Sequence, residues 1–290
     1  MPVVTRQQSR RPLRSALLVA SDYRGFHVAP TVSHVNDAYL IKRFLTESQY
    51  FEEKNISVWT DTLPTGLFAD PTIRTTSFNE KKILGHLLTL VREDFSRVGD
   101  TIFFFCSGHQ AHNSQLNQEP RVIIGRAEDD KTNVLRASAL RFVVQSVPAG
   151  VHFTMGINSC GSSAMAEGWA RFQFPFVRPP NFQPEHYASE FIVALTSTCS
   201  ATERSYSLRW YEPFQCGISY FPFALVRVLE RQNGAMTHSR LIENISDFLM
   251  EFKANFIIQQ GLSNRFLHMT RHHPSLLCRD TQLSTSFLQL

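Results

Sequence analysis

The run TIFFFCSGH (Thr101–His109) constrains the fold more than any other stretch of the 290 residues. Five consecutive apolar side chains, Ile102 to Cys106, leave no face for water, so a strand here must be covered on both sides. Such a strand belongs to a parallel sheet between two helical layers, and the rest of the chain supplies the pieces. SALLVASDY (Ser15–Tyr23), NISVWTD (Asn55–Asp61), RVIIGRAEDD, VHFTMGINSCGSS and FIVALTSTCSATE read as further strands. Between them lie patterns of helical period. VNDAYLIKRFLTESQYF spaces Val35, Ala38, Leu40, Ile41, Phe44 and Leu45 along one face, and NEKKILGHLLTLVREDF does so with Ile83, Leu87, Leu88 and Val91. SALRFVVQSV, ended by Pro148, GISYFPFALVRVLERQ, with Pro222 near its start, and THSRLIENISDFLMEFKANF complete the helices. The alternation predicts an α/β fold: a mostly parallel central sheet flanked by helices on both faces, an α/β/α sandwich.

A composition of 43% hydrophobic and 19% charged residues is that of a globular chain, not a disordered one. The net charge of +4 belongs to a basic tail, residues 1–14, which holds Arg6, Arg10, Arg11 and Arg14 and no acid. Without it the body is neutral, so no nucleic-acid partner is expected. The tail reads as a frayed terminus, with nuclear targeting or an electrostatic docking arm as alternatives. No apolar run has membrane-spanning length and no signal-peptide core precedes the first strand, so no membrane partner is expected. Five cysteines without a CxxC pair suit neither a disulfide framework nor a zinc site. A reducing, cytoplasmic setting is expected, with the nucleus as the alternative.

In parallel sheets the working residues gather at the carboxyl ends of strands. Two apolar strands end in reactive side chains, His109 in CSGHQ and Cys160 in NSCGSS, 51 residues apart. Alone, each reads as structural. Together they read as a nucleophile and its base: a thiol beside an imidazole ionises near neutral pH, and the neighbouring glycines let backbone N–H groups approach a substrate carbonyl.

These segments resemble the caspase/metacaspase clan of cysteine peptidases, for which a histidine-to-cysteine spacing near 50 is itself a known mark. VNDAYLIKRFL resembles the metacaspase N-D-A helix, NISVWTD its N-I-x-x-L-T-D strand, and DTIFFFCSGH its G-D-x-x-F-x-Y-S-G-H strand. TSTCSATERSYS resembles the S-G-C-x-x-x-Q-T-S-A segment that opens the small-subunit half. The similarity runs from about Ala16 to Phe256. It implies one peptidase domain over residues 15–290, with a large-subunit-like part (15–170), a Pro-rich linker (171–187) and a small-subunit-like part (188–290).

The resemblance further implies a cysteine endopeptidase acting on proteins or peptides, with Cys160 as nucleophile and His109 as general base. The backbone N–H groups of Cys160 and Gln110 would form the oxyanion hole, and Asp37, Ser107 and Asn158 the substrate pocket. It implies no metal or organic cofactor for the chemistry. Calcium is open as an activator at Asp129 and Asp130, which otherwise read as an acidic turn. A monomer is expected, with a dimer as alternative, and the linker offers Arg171 and Arg178 for self-cleavage.

Three residues depart from the pattern: Gln110 replaces a glycine, Asn158 an aspartate, and Gly161 a histidine. No Arg or Lys lies between Arg24 and Lys42, where caspases place an arginine that grips aspartate. The pocket is therefore expected to prefer Arg or Lys, more weakly than one with two acids. Asp37 reads equally as a first-turn helix acid. The departures motivate an alternative function, a catalytically weak or inactive scaffold. Cys106 and Cys199 read as core-strand cysteines, and His272-His273 as a surface pair.

Overall fold

The computed structural model describes residues 11–23, 33–92, 95–110, 119–126, 132–166, 171–173, 188–189, 191–198, 205, 207–232, 236–259 and 274–278. The all-apolar run forms β3 (Thr101–Ser107), buried at every position. It lies between β1 (Arg14–Ala20) and β6 (His152–Asn158), both parallel to it. With β2 (Ile56–Thr60), β7 (Arg171–Gln173), β8 (Ile192–Thr196) and β11 (Ser275–Cys278) they build a seven-stranded sheet of order β2-β1-β3-β6-β8-β11-β7. Only β11 runs against the others, pairing antiparallel with both β8 and β7.

Successive side chains of these strands point to opposite faces, and each face has its own core. Leu17, Val19, Ile102 and Phe104 pack with Ile83 and Leu87 of α2 (Glu80–Val91) and Leu140 and Val143 of α3 (Ala137–Gln145). Leu18, Phe103 and Phe105 pack with Val35 and Ile41 of α1 (His34–Glu47), Phe221 and Leu225 of α4 (Tyr220–Arg231), and Leu241 and Ile245 of α5 (His238–Gln259). Each phenylalanine so buried contributes about 2–3 kcal/mol, which is why three in a row can anchor the sheet centre. The expected α/β/α sandwich is the observed architecture.

Two antiparallel hairpins stand apart from this sheet: β4 (Arg121–Arg126) with β5 (Thr132–Arg136), and β9 (Ser207–Tyr211) with β10 (Cys216–Ser219). The N-D-A triplet explains how α1 meets the second of them. Asn36 donates from Nδ2 to the Gly217 carbonyl (2.9 Å) and accepts at Oδ1 from the Thr65 N–H (2.9 Å), while Ala38 enters the core.

Some boundaries differ from the sequence expectation. The first strand stops at Ala20, three residues before Tyr23, because the Asp61 carboxylate captures the Ser21 hydroxyl and the N–H groups of Asp22 (2.9 Å) and Tyr23 (3.2 Å). Arg171–Gln173, placed at the head of the linker, form edge strand β7; they precede the first proline, Pro175, and keep their backbone donors. The other linker residues, 174–187, lie outside the described residues. Among the described residues no helix is long and apolar enough to cross a membrane.

Candidate active site

The carboxyl ends of β2, β1, β3, β6 and β8 share one edge of the sheet, and His109 and Cys160 stand there on adjacent strand ends. Thr101 faces His152 and Ser107 faces Asn158, a constant offset of 51 residues down the β3–β6 pair. His109 and Cys160 keep the same offset two residues further on. The Gly108 N–H bonds to the Asn158 carbonyl (3.0 Å), which carries the pairing past the strand ends.

Gly108 is required by close approach. A Cβ there would lie 2.6 Å from the Tyr23 hydroxyl and 2.7 Å from the Ile123 carbonyl. Gly161 is required by conformation: its φ of +56° is left-handed, a region costly for a histidine. The departure at 161 thus fits the local backbone. Cys160 is half-buried, and its Sγ lies 3.9 Å from the Ser205 carbonyl, to which the thiol donates. The segment after it is held by Ser162, whose hydroxyl meets those of Ser197 (3.1 Å) and Thr198 (3.2 Å) beyond β8.

Gln110 is bridged to Val122 of β4. The bond on that side is donated by Ile123 to the His109 carbonyl (2.7 Å), so it does not consume the Gln110 N–H. The amide Nε2 of Gln110 is buried with no hydrogen-bond partner among the described residues, a cost that the glycine of the family pattern would not carry.

Asp37, Ser107 and Asn158 are brought together. Asp37 Oδ2 accepts from the Ser107 hydroxyl (3.0 Å) and from Asn158 Nδ2 (3.1 Å), and Asn158 Nδ2 also reaches Ser107 Oγ (2.9 Å). Two residues that the sequence reading missed complete the cluster. The Ser219 N–H donates to Asp37 Oδ1 (2.8 Å), and the Ser205 hydroxyl donates to Asn158 Oδ1 (2.9 Å). Single serines carry no pattern, so neither could be singled out. Asp37 does lie in the first turn of α1, but its carboxylate is engaged by this cluster. Burial pushes it up to about 8, opposed by the hydrogen bonds from Ser219 and Ser107 and reinforced by the charge of Asp22.

Asp129 and Asp130 lie outside the described residues, as do Cys199 and Arg178. Among the described residues no group of three or more His, Cys, Asp or Glu is placed to hold a metal ion. Cys106 is buried in β3, and burial pushes its thiol up to about 12, as suits an inert core cysteine.

Residues 14–168, more than half the chain and including both His109 and Cys160, match the family described as metacaspase, peptidase C14 domain. The chain belongs to this metacaspase family. No curated protein matches it. Among solved structures, a crystal structure of a Geobacter sulfurreducens protein superposes with a TM-score of 0.56 at 12% identity, covering 96% of this chain and 99% of that one. At that identity the likeness speaks for the fold alone. For a metacaspase-family chain, a cysteine and a histidine at one sheet edge, beside a buried acid, are the groups from which peptide-bond chemistry would be built.

Proposed function

We propose that the chain is a cysteine endopeptidase in which Cys160 and His109 form the catalytic dyad. The shared 51-residue offset supports this reading: Ser107 pairs with Asn158 at the ends of adjacent strands, and His109 and Cys160 each follow two residues on. The Cys160 thiolate attacks the scissile carbonyl carbon, and the C–N bond breaks as His109, holding the thiol proton, passes it to the leaving amine. Water, deprotonated by the same imidazole, then releases the acyl group. The N–H groups of Cys160 and Gln110 receive the oxyanion.

The substrate pocket is assigned to Asp37, Ser107 and Asn158, with Arg or Lys before the cleaved bond. A substrate cation restores the charge that burial suppresses on Asp37, and the neutral Asn158 adds no second carboxylate beside it. Self-processing is assigned to the linker. Arg171 is paired within β7 against Leu277, so a cut there needs the edge strand to peel away; Arg178 is the other basic candidate. A cytoplasmic setting suits a free reactive thiol.

A second reading, a catalytically silent scaffold, rests on the thiol's pairing with the Ser205 carbonyl and on the altered residues 110 and 158. Labelling with a peptidyl warhead ending in arginine, on wild type, Cys160→Ala and His109→Ala, separates the two. Rapid labelling of wild type alone supports the peptidase. No labelling of any form, with no cleavage of arginyl or lysyl peptides, supports the scaffold.

A further inference from the structure

Tyr23 sits in a conformation that a bulky residue avoids. Its φ of +59° is left-handed, at a cost of about 1–3 kcal/mol, and strain of this kind persists only where surroundings enforce it. The enforcing group is Asp61, whose carboxylate collects three donors from Ser21, Asp22 and Tyr23. The turn so formed sends the fully buried Tyr23 side chain beneath His109. The two rings stack with centroids 4.9 Å apart and planes 20° apart. The Tyr23 hydroxyl accepts the His109 backbone N–H (2.6 Å) and donates to the Ile123 carbonyl (2.6 Å). His34 meets the same imidazole edge-on at 5.4 Å, its own Nδ1 3.1 Å from the Ser21 carbonyl. Gly108 leaves the hydroxyl the room it needs.

We propose that Tyr23, held by Asp61, is the positioning residue of the candidate dyad: its ring fixes the plane of the His109 imidazole, and its hydroxyl fixes the peptide that joins Gly108 to His109. This rests on the reading of His109 as general base. One side chain then holds His109 at two points, the ring setting the direction of proton transfer and the hydroxyl the backbone from which the imidazole projects. The energy that holds the turn comes from Asp61, on a different strand from either reacting side chain. Tyr23 itself exchanges no proton with substrate, since both sides of its oxygen are engaged by backbone.

The test follows alkylation of Cys160 by iodoacetamide between pH 5 and 9.5, read at the Cys160 peptide by mass spectrometry. It uses the full chain as wild type, Tyr23→Phe, Tyr23→Leu, Asp61→Asn and His109→Ala. Arginyl-peptide kcat and KM and urea midpoints are measured alongside. His109→Ala should move the alkylation limb up to that of a free thiol. Tyr23→Phe should lower kcat at least 10-fold with KM within twofold, and Tyr23→Leu should carry the limb most of the way to that of His109→Ala. If Tyr23→Leu does not fold, Tyr23→Phe and Asp61→Asn decide, each keeping its residue's size. Wild-type profiles and kcat within twofold in the Tyr23 and Asp61 variants, with His109→Ala impaired, would overturn the positioning role alone. A wild-type profile in His109→Ala would overturn the dyad, and this proposal with it.

Discussion

Replacing Asp37 with asparagine should make the protein more stable at neutral pH while removing its preference for basic substrates. The folded pKa of Asp37 is raised from 3.8 to about 8, so the folded state holds a proton that the unfolded chain has released throughout that window. Stability carried by such a group is fully present below about pH 4 and declines as pH rises towards 8. Each pH unit removes about 1.4 kcal/mol, so the wild type loses up to about 4 kcal/mol between pH 4 and pH 7 through this one side chain. The substituted asparagine has no proton to lose; it can keep the Ser219 bond at Oδ1 while its amide donates to Ser107, at the loss of the one bond that Asn158 Nδ2 donates, a pH-independent cost of about 1 kcal/mol. The groups around the site are Asp22, which reinforces the shift, and Cys216, whose thiol is pushed up to about 11 by burial and then by Asp37. Urea unfolding of both proteins from pH 4.5 to 8 measures the difference directly. The stability gap, Asp37→Asn over wild type, should widen steadily with pH and reach a few kcal/mol by pH 8. Cleavage of arginyl peptides should fall at least tenfold in the same variant. Parallel stability curves would refute the argument, since a carboxylate already ionised in the fold leaves no slope to remove.

Three further outcomes follow from the site. Gly108→Ala places a Cβ 2.6 Å from the Tyr23 hydroxyl, so cleavage should drop at least 100-fold and the urea midpoint should fall; near-normal values of both would show that the close approach is relaxed in solution. Asn158→Asp sets a second carboxyl about 3 Å from Asp37, where the two must share a proton. Selectivity for arginyl over uncharged peptides should rise several-fold and stability at pH 8 should fall by about 1–3 kcal/mol. Asn36→Ala unhooks α1 from Gly217 and Thr65; losing the buried bond to Gly217 and the half-buried ones to Thr65 predicts about 2–3 kcal/mol in unfolding free energy, while a loss below about 0.5 kcal/mol would mean that water replaces them.

The long elements were legible because their burial writes a period into the sequence. Ile102–Cys106 could only be a strand covered twice, and α2 could only present Ile83, Leu87 and Val91 inward. Short pieces were not: β5, β9 and β11 are four or five residues each, and β10 merged with the start of α4 because Cys216–Ser219 and Tyr220–Val226 are apolar without a break in pattern. At the site, Asp37, Ser107 and Asn158 could be grouped through the family resemblance, and the fold brings them into contact. Ser205, Ser219 and Tyr23 could not, since their roles depend on which backbone atoms a distant strand or turn presents to them. Sequence reading extended the first strand through Tyr23; the residue instead belongs to a strained turn created by Asp61, about 40 positions away.

The strand order has a consequence for any cut in the linker beyond Gln173. The part before the cut owns β6 and β7, and the part after it owns β8 and β11, interleaved as β6-β8-β11-β7. Neither fragment possesses a finished sheet, and each closes the other's open edge, with Asn36 and Asp37 fastening to Gly217 and Ser219 besides. A nicked molecule should therefore run as two bands in detergent yet elute as one particle of unchanged size. Scission of the backbone would alter which loops are free to move without dividing the protein into two.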